Sequence, residues 1–283
     1  MSDPARAGTA RAGTAVTAGP AVPLAATAAM ITSARLTGGL LGDLGDGMRP
    51  ATQLAAYHVQ AIAHPLLEAG GYGRQAGWKI GCTTPVMQEY LGIGNPCAGA
   101  MFQANVWHGG HAFPVPASGR LGVECEIAVR MGRDLPRLKL AYEPGDMPGA
   151  VAASMAAIEV VQDRYADYPS LGTPTLIADD FFHYACVLGP QLESFPPGSL
   201  RDVTGSMTIN GTVVGHGTGT DIMGDPLGVL CWLANSCAAW GTPLLAGDVV
   251  LLGSLVQTQW VAAGDVVAVA NEPLGEVTAE FTT

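Results

Sequence analysis

The period of hydrophobic and polar positions changes along the chain. From Ile31 to Leu41 the spacing predicts a helix, closed by the Gly/Asp loop Gly42 to Gly47. A second helix is expected from Pro50-Ala51-Thr52 to about Ala69, where Leu54, Tyr57, Ile62 and Leu66 roughly keep helical spacing and Gly70-Gly71 ends the run. AGWKIGC then reads as a short strand, Pro85 to Leu91 as a helical turn, and the residues up to Gly99 as a Gly/Pro loop. Beyond that, strands are expected at Val123–Met131, Ala156–Val161, Ala185–Leu188, Met207–Asn210, Thr212–Val214, Val249–Leu252, and near Val266–Val269 and Glu276–Phe281. Asn210-Gly211 between two of them is a strong hairpin signal. One helix, Leu227–Trp240, interrupts the strands.

Helices at the start and strands in the middle and end predict an α+β fold with a mostly antiparallel or mixed sheet. No long linker divides residues 31–283, which predicts one domain. Residues 1–30 are rich in Ala, Gly and Thr, and ARAGTARAGTAV nearly repeats itself, so this stretch reads as a flexible tail.

Composition narrows the function classes. The 283 residues are 48% hydrophobic and 13% charged, enough for a large core. A net charge of −11 argues against a nucleic-acid binder and against a protein docked on anionic membranes. The six cysteines form no CxxC pair, so they are expected as reduced core thiols in a cytoplasmic protein. The charge-free run Pro226 to Gly247 is long enough for a membrane span. Asn235, Ser236 and Gly241-Thr242-Pro243 interrupt it, which favours a buried helix.

The chemistry concentrates in LGVECEIAVRMGRDLP. Side chains alternate along a strand, so Glu124 and Glu126 share one face while Cys125 and Ile127 point to the other. Like charges that close call for something positive nearby. AAIEVVQDR offers Glu159 in a second apolar strand. Three carboxylates suit a hard cation such as Mg²⁺ or Mn²⁺; a solvated strand edge is the other reading. Lys79, in GWKIGC, is one of only two lysines. Its neighbours on the same face, Gly77 and Gly81, leave open space for a small ligand, or the side chain reaches out to water from an edge strand.

GWKIGCTTPVMQEYLGIGNPCAG, the Glu-x-Glu strand, AAIEVVQDR, NGTVVGHGTGTDIMGDPLGVLCWLAN and AGDVVLLGSLVQTQWVAAGDVV, with ARLTG and TQLAAYHVQ before them, resemble the fumarylacetoacetate hydrolase superfamily. The likeness is to its branch of 2-keto-4-pentenoate hydratases and 2-oxo-enedioate decarboxylases, and it covers nearly everything after residue 30. It implies a β-rich mixed-sheet roll or sandwich with N-terminal helices. It implies Mg²⁺ or Mn²⁺ held by Glu124, Glu126 and Glu159, an essential Lys79, and a small unsaturated 2-oxo acid as substrate. Around the substrate it places Cys97, Asp179, Phe182, Gly253 and Ser254.

Three departures from the family pattern stand out. Cys97, in Pro96-Cys97-Ala98-Gly99, occupies the place of an acidic residue in related hydratases. Asp179-Asp180-Phe181-Phe182-His183 replaces a small polar stretch and adds His183 as a candidate acid–base group. Asp221 stands where a small residue is usual. His108 and His111, in WHGGHAF, have metal-like spacing but read as loop residues. The expected activity is hydration of a 2-oxo acid through a metal-stabilised enolate. Decarboxylation through the same enolate, carbon–carbon hydrolysis, a Schiff-base aldolase on Lys79 and an inactive partner subunit remain as alternatives. A homo-oligomer, with association to a related hydratase or decarboxylase, completes the expectation.

Overall fold

The structure, a computed structural model, describes residues 23–45, 47–137 and 140–283. Of the stretch expected as a tail, residues 1–22 lie outside the described residues, while residues 24–30 are helical: helix α1 spans Leu24–Thr37. Its Ala-rich sequence has high intrinsic helix propensity, and Thr27, Ala28, Ile31, Thr32 and Arg35 form its buried side. Gly38, at φ 67°, ends it in the left-handed conformation that glycine tolerates. Helix α2, Gln53–Leu67, is capped by the Thr52 hydroxyl and packs on α1. The remaining helices are α3 (Pro85–Leu91), α4 (Tyr168–Leu171), α5 (Thr173–Ala178) and α6 (Pro226–Trp240). No helix among the described residues is long and apolar enough to cross a membrane.

Among the described residues thirteen strands form two sheets: β1 (Gln75–Gly81), β2 (Cys97–Phe102), β3 (Val106–His108), β4 (His111–Pro114), β5 (Arg120–Met131), β6 (Val151–Asp163), β7 (His183–Leu188), β8 (Thr204–Ile209), β9 (Thr212–Thr218), β10 (Val249–Ser254), β11 (Gln259–Val261), β12 (Val266–Glu272) and β13 (Gly275–Thr282). The larger sheet has eight strands in the order β2-β1-β10-β5-β6-β7-β3, with β11 pairing on β5 beyond β10. It is mixed, because β1 runs parallel to β10 and β3 parallel to β7. The smaller sheet, of order β4-β13-β12-β8-β9, contains the expected hairpin at Asn210-Gly211.

The larger sheet rolls up until β2 meets β7. Alternation then divides its residues cleanly. Cys125, Ile127, Ile158 and Val160 point outward into the main core, against Val267, Val269 and Phe281 of the smaller sheet. Trp78 and Ile80 of β1 likewise face outward, under Tyr57 of α2 and Trp240 of α6, whose rings stack at 3.9 Å. Inside the roll, Met101, Ala128, Met155, Leu188 and Leu251 fill one end. Lys79, Glu124, Glu126 and Glu159 lie on this same inner face toward the other end.

The open space expected beside Lys79 is not there. A Cβ on Gly77 would lie 1.8 Å from the Val249 carbonyl oxygen, so that glycine lets β10 pack against β1. A Cβ on Gly81 would meet Phe181 at 3.0 Å and the Cys97 sulfur at 3.2 Å. Lys79 does not reach water either, being 2% exposed. The Gly/Pro loop expected up to Gly99 ends early, since Cys97 to Phe102 form β2.

Candidate metal centre and substrate cleft

The register of β5 against β6 sets Glu124 directly opposite Glu159 and Glu126 opposite Ala157. One carboxylate oxygen from each of Glu124, Glu126 and Glu159 lies within 4.8 Å of the others. Glu126 and Glu159 are buried, and Glu124 lines a cleft. Each carboxylate is held by a different part of the chain. A break in the β10–β5 register between Leu251 and Ser254 frees the Gly253 N–H to donate to Glu126 Oε2 at 2.7 Å. The Thr258 hydroxyl donates to Glu124 Oε1. Glu159 Oε1 lies 3.2 Å from Lys79 Nζ and 2.9 Å from His183 Nδ1. Glu126 Oε1 and Glu159 Oε2 are buried with no hydrogen-bond partner among the described residues.

The electrostatics follow. Burial, then the charges of Glu159 and Glu124, push the Glu126 carboxyl well above its ordinary value. Burial and Glu159 push Glu124 up as well. Burial also works upward on Glu159, but Lys79 and His183 outweigh it and hold that carboxyl below the usual range. Burial works downward on Lys79, yet Glu159 and Glu124 outweigh it, so its ammonium is held more firmly than usual. Burial lowers His183 despite its bond to Glu159. The neutral ring then donates its Nδ1 hydrogen to Glu159. A divalent cation fits this donor set: the ligands are all carboxylate oxygens, two of them lack partners, and a positive charge removes the repulsion that burial aggravates.

The cleft above the acids encloses about 550 Å³. Of the residues expected at the site, Lys79, Glu124, Phe182, Ser254 and Asp221 line it. The Ser254 hydroxyl is engaged with backbone, donating to the Val256 carbonyl at 2.7 Å and accepting from the Cys125 N–H at 3.1 Å. Gly253 touches Glu126 through its N–H rather than facing the cleft. His183 stands behind Glu159, in the wall of a second cavity. Cys97 is buried, its sulfur 3.4 Å from that of Cys82, and burial and Cys82 push its thiol well above the ordinary value. A thiol so held offers no negative charge to the site. His111 stacks on Trp107 at 3.6 Å, as a residue of a strand end.

Asp179 belongs to a separate buried network. Arg164 donates to Asp179 Oδ2 at 2.7 Å and to the His183 carbonyl at 2.9 Å. Arg35 reaches Asp180 Oδ2 at 2.5 Å, and His64 and the Ala100 N–H meet Asp180 Oδ1 at 2.9 Å each. This network clamps a left-handed turn, Asp180 (φ 54°), Phe181 (φ 46°) and Phe182 (φ 65°), a conformation that costs roughly 1–2 kcal/mol per residue. The turn brings the Phe181 ring 5.2 Å from Lys79 Nζ and starts β7 where His183 reaches Glu159. Arg35, His64, Arg164 and Thr258 escaped the sequence reading. The scarcity of basic residues, 13 in all, was the available signal.

A rolled mixed sheet, backed by a second sheet, thus carries three carboxylates beside a buried lysine at the foot of a cleft. Residues 96–282 match the family described as Fumarylacetoacetate (FAA) hydrolase C-terminal. The chain belongs to this family. It is 35% identical to a 2-keto-4-pentenoate hydratase of Burkholderia vietnamiensis, over 92% of this chain and 97% of that one. It is 30% identical to a 2-hydroxyhexa-2,4-dienoate hydratase of Comamonas testosteroni, over 86% and 91%. Among solved structures it is similar to a 4-oxalocrotonate decarboxylase of Pseudomonas putida G7 complexed with magnesium and adipate. That match has a TM-score of 0.83 and 26% identity, and covers 91% of this chain and 97% of that one. Lys79 precedes the matched segment, but the first of these hydratases aligns along almost the whole chain.

Proposed function

We propose that the chain is a divalent-metal-dependent lyase that adds water to a small unsaturated 2-oxo acid, as hydratases of the 2-keto-4-pentenoate type do. The observation that carries this reading is the pair of partnerless, buried oxygens on Glu126 and Glu159, close to Glu124 and floored by the Lys79 ammonium. Glu124, Glu126 and Glu159 would hold Mg²⁺ or Mn²⁺. When bound, such an ion polarises the 2-oxo group and stabilises negative charge on its oxygen.

The chain's own residues do the rest. As the oxygen of water bonds to C4 of the substrate, Lys79 donates its ammonium proton to C3, and the neutral amine so left takes the proton that the water gives up, which restores the ammonium. Its firm positive charge works against a role as an amine nucleophile. Neutral His183 orients Glu159, and Thr258 and the Gly253 N–H orient the other two acids. Phe181 screens Lys79 from water. Decarboxylation is the second reading, favoured by the likeness to the decarboxylase structure and by the buried thiol of Cys97 in place of an acid. The protein is further proposed to work in the cytoplasm as a homo-oligomer, alone or with a related hydratase or decarboxylase; sedimentation of the purified protein tests this.

The experiment follows loss of a 2-hydroxydienoate and of a 2-oxo-enedioate by ultraviolet absorbance, and carbon dioxide release separately, with Mg²⁺ and with Mn²⁺. Hydration without carbon dioxide is expected, abolished by chelator and by Lys79→Met. Carbon dioxide release at the same rate establishes the second reading. Metal-saturated protein that fails to exchange the C3 hydrogens of 2-oxobutyrate for deuterium overturns both.

A further inference from the structure

The floor of the cleft carries both signs of charge, but its walls carry no cation. Beyond Lys79 and Glu124, the one charged side chain lining the cleft among the described residues is Asp221, an acid. Lys79 is already paired with Glu159. The guanidinium of Arg120 stands outside the lining, stacked 3.7 Å over the Trp260 ring and paired with Asp163 at 3.2 Å. A carboxylate at the far end of a substrate would thus lose water, find no cation and meet Asp221.

The walls present mainly aromatic and aliphatic groups, with the uncharged Thr83, Thr84, Gln257 and Thr258 among them. Phe182 lies edge-on to Phe181 at 5.4 Å and to Tyr168 at 5.5 Å, and all three line the cleft. Tyr165, buried behind them, lies edge-on to Phe182 at 5.0 Å. The left-handed turn and its arginine–aspartate clamp hold the two phenylalanines rigidly. Leu176, Leu255 and Val256 complete an apolar slot. At about 550 Å³ the cleft has room for a tail well beyond two carbons.

We infer that Phe181, Phe182 and Tyr168 are specificity-determining residues that select a 2-oxo monocarboxylate with a bulky apolar tail, of the size of an aromatic ring, and reject a second carboxylate. This inference rests on the proposed 2-oxo acid chemistry and names the tail that chemistry acts on. An aromatic tail adds one more edge-to-face partner to the cluster and is desolvated at no electrostatic cost.

The test measures binding by calorimetry to the magnesium-loaded protein, using three saturated 2-oxo acids with no double bond to hydrate: 2-oxohexanoate, 2-oxoadipate and 2-oxo-5-phenylpentanoate. The first two differ only in a terminal methyl against a carboxylate. The phenyl acid should bind about tenfold more tightly than 2-oxohexanoate, and 2-oxoadipate about a hundredfold more weakly. Tyr168→Leu should remove about threefold or more of the phenyl preference. Met87→Lys, on the partly exposed α3 and lining the cleft, should strengthen 2-oxoadipate about tenfold and leave 2-oxohexanoate unchanged. Equal or tighter binding of 2-oxoadipate than of 2-oxohexanoate by the unaltered protein overturns the inference, as does failure of all three to bind. Deuterium exchange at C3 of 2-oxobutyrate, run in parallel, reports on the chemistry alone. Exchange with a reversed ranking sinks only the tail class; no exchange with the expected ranking sinks only the lyase reading.

Discussion

Two clusters of buried charge lie within a few residues of one another, and they are built on opposite principles. In the first, Arg35 and Arg164 face Asp179 and Asp180, so positive and negative charges match. Even Asp179 Oδ1, which accepts no hydrogen bond, lies 3.9 Å from Arg35. In the second, three glutamates share one lysine and two oxygens have no partner. A folded chain avoids leaving buried charge unmatched, so the matched cluster reads as architecture and the unmatched one as a place where something binds. The two are linked in series. The matched cluster clamps the left-handed turn, and the turn delivers Phe181 and His183 to the unmatched one.

The largest effect should come from breaking the matched cluster. Arg164→Met leaves Asp179 buried without its close cation and frees the His183 carbonyl. A loss of about 3–5 kcal/mol in unfolding free energy is expected, measured by urea denaturation. Adding Asp179→Asn to Arg164→Met should recover part of that loss, because the stranded charge is gone. A single variant as stable as the parent would show that the charges are not what holds the turn.

The same operation on the unmatched cluster should hurt activity instead. Glu126→Gln keeps the side-chain volume and the bond to Gly253 while removing one charge. Metal-dependent turnover should fall at least a hundredfold, about 3 kcal/mol in transition-state stabilisation, while the metal-free protein stays folded. Far-ultraviolet circular dichroism beside the kinetic assay checks both halves.

Metal addition should separate the clusters without any mutation. Mg²⁺ at a hundred times its dissociation constant should stabilise the native protein by about 2.7 kcal/mol, read as a rise in melting temperature. Glu126→Gln should lose most of that rise. Arg164→Met should keep it, starting from a lower temperature.

The sequence made the two clusters unequally visible. Glu124 and Glu126 stood out because acids are rare inside an apolar strand, and strand periodicity alone placed them on one face. The register that puts Glu159 opposite Glu124 is a long-range property: its apolar strand marked Glu159 as a candidate, the family resemblance strengthened it as a ligand, and only the fold shows the pairing. The matched cluster draws on five separate segments, so no local pattern announced it. Gly77 and Gly81 misled for a related reason. A missing side chain is equally consistent with ligand space and with a neighbouring strand, and only the packing of β10 decides. Helix α1 began before residue 31 because its alanines carry helix propensity without a visible apolar stripe.

The smallest effect, and the one that compares the clusters most directly, is the pH dependence of stability in the presence of chelator. Burial acts upward on the Asp180 carboxyl, but His64 and Arg35 outweigh it and hold it far below its ordinary value. Its contribution is therefore present above the unfolded pKa of about 3.9 and is lost as pH falls through the folded value. Glu126 has the opposite sign. Its folded carboxyl is raised by burial and by Glu159 and Glu124, so its contribution is present below an unfolded pKa of about 4.3 and is lost as pH rises through the folded value. Stability should thus climb out of the acid range on the matched cluster and sag on the alkaline side on the unmatched one. Urea unfolding across the pH range should show Glu126→Gln flattening only the alkaline sag, since glutamine does not ionise. Saturating Mg²⁺ should flatten it in the parent as well, by keeping the carboxylate charged at no cost in repulsion. Parallel curves for parent and variant between about pH 5 and 8 would mean that the three acids do not repel one another in the empty centre, and the contrast between the clusters would fail.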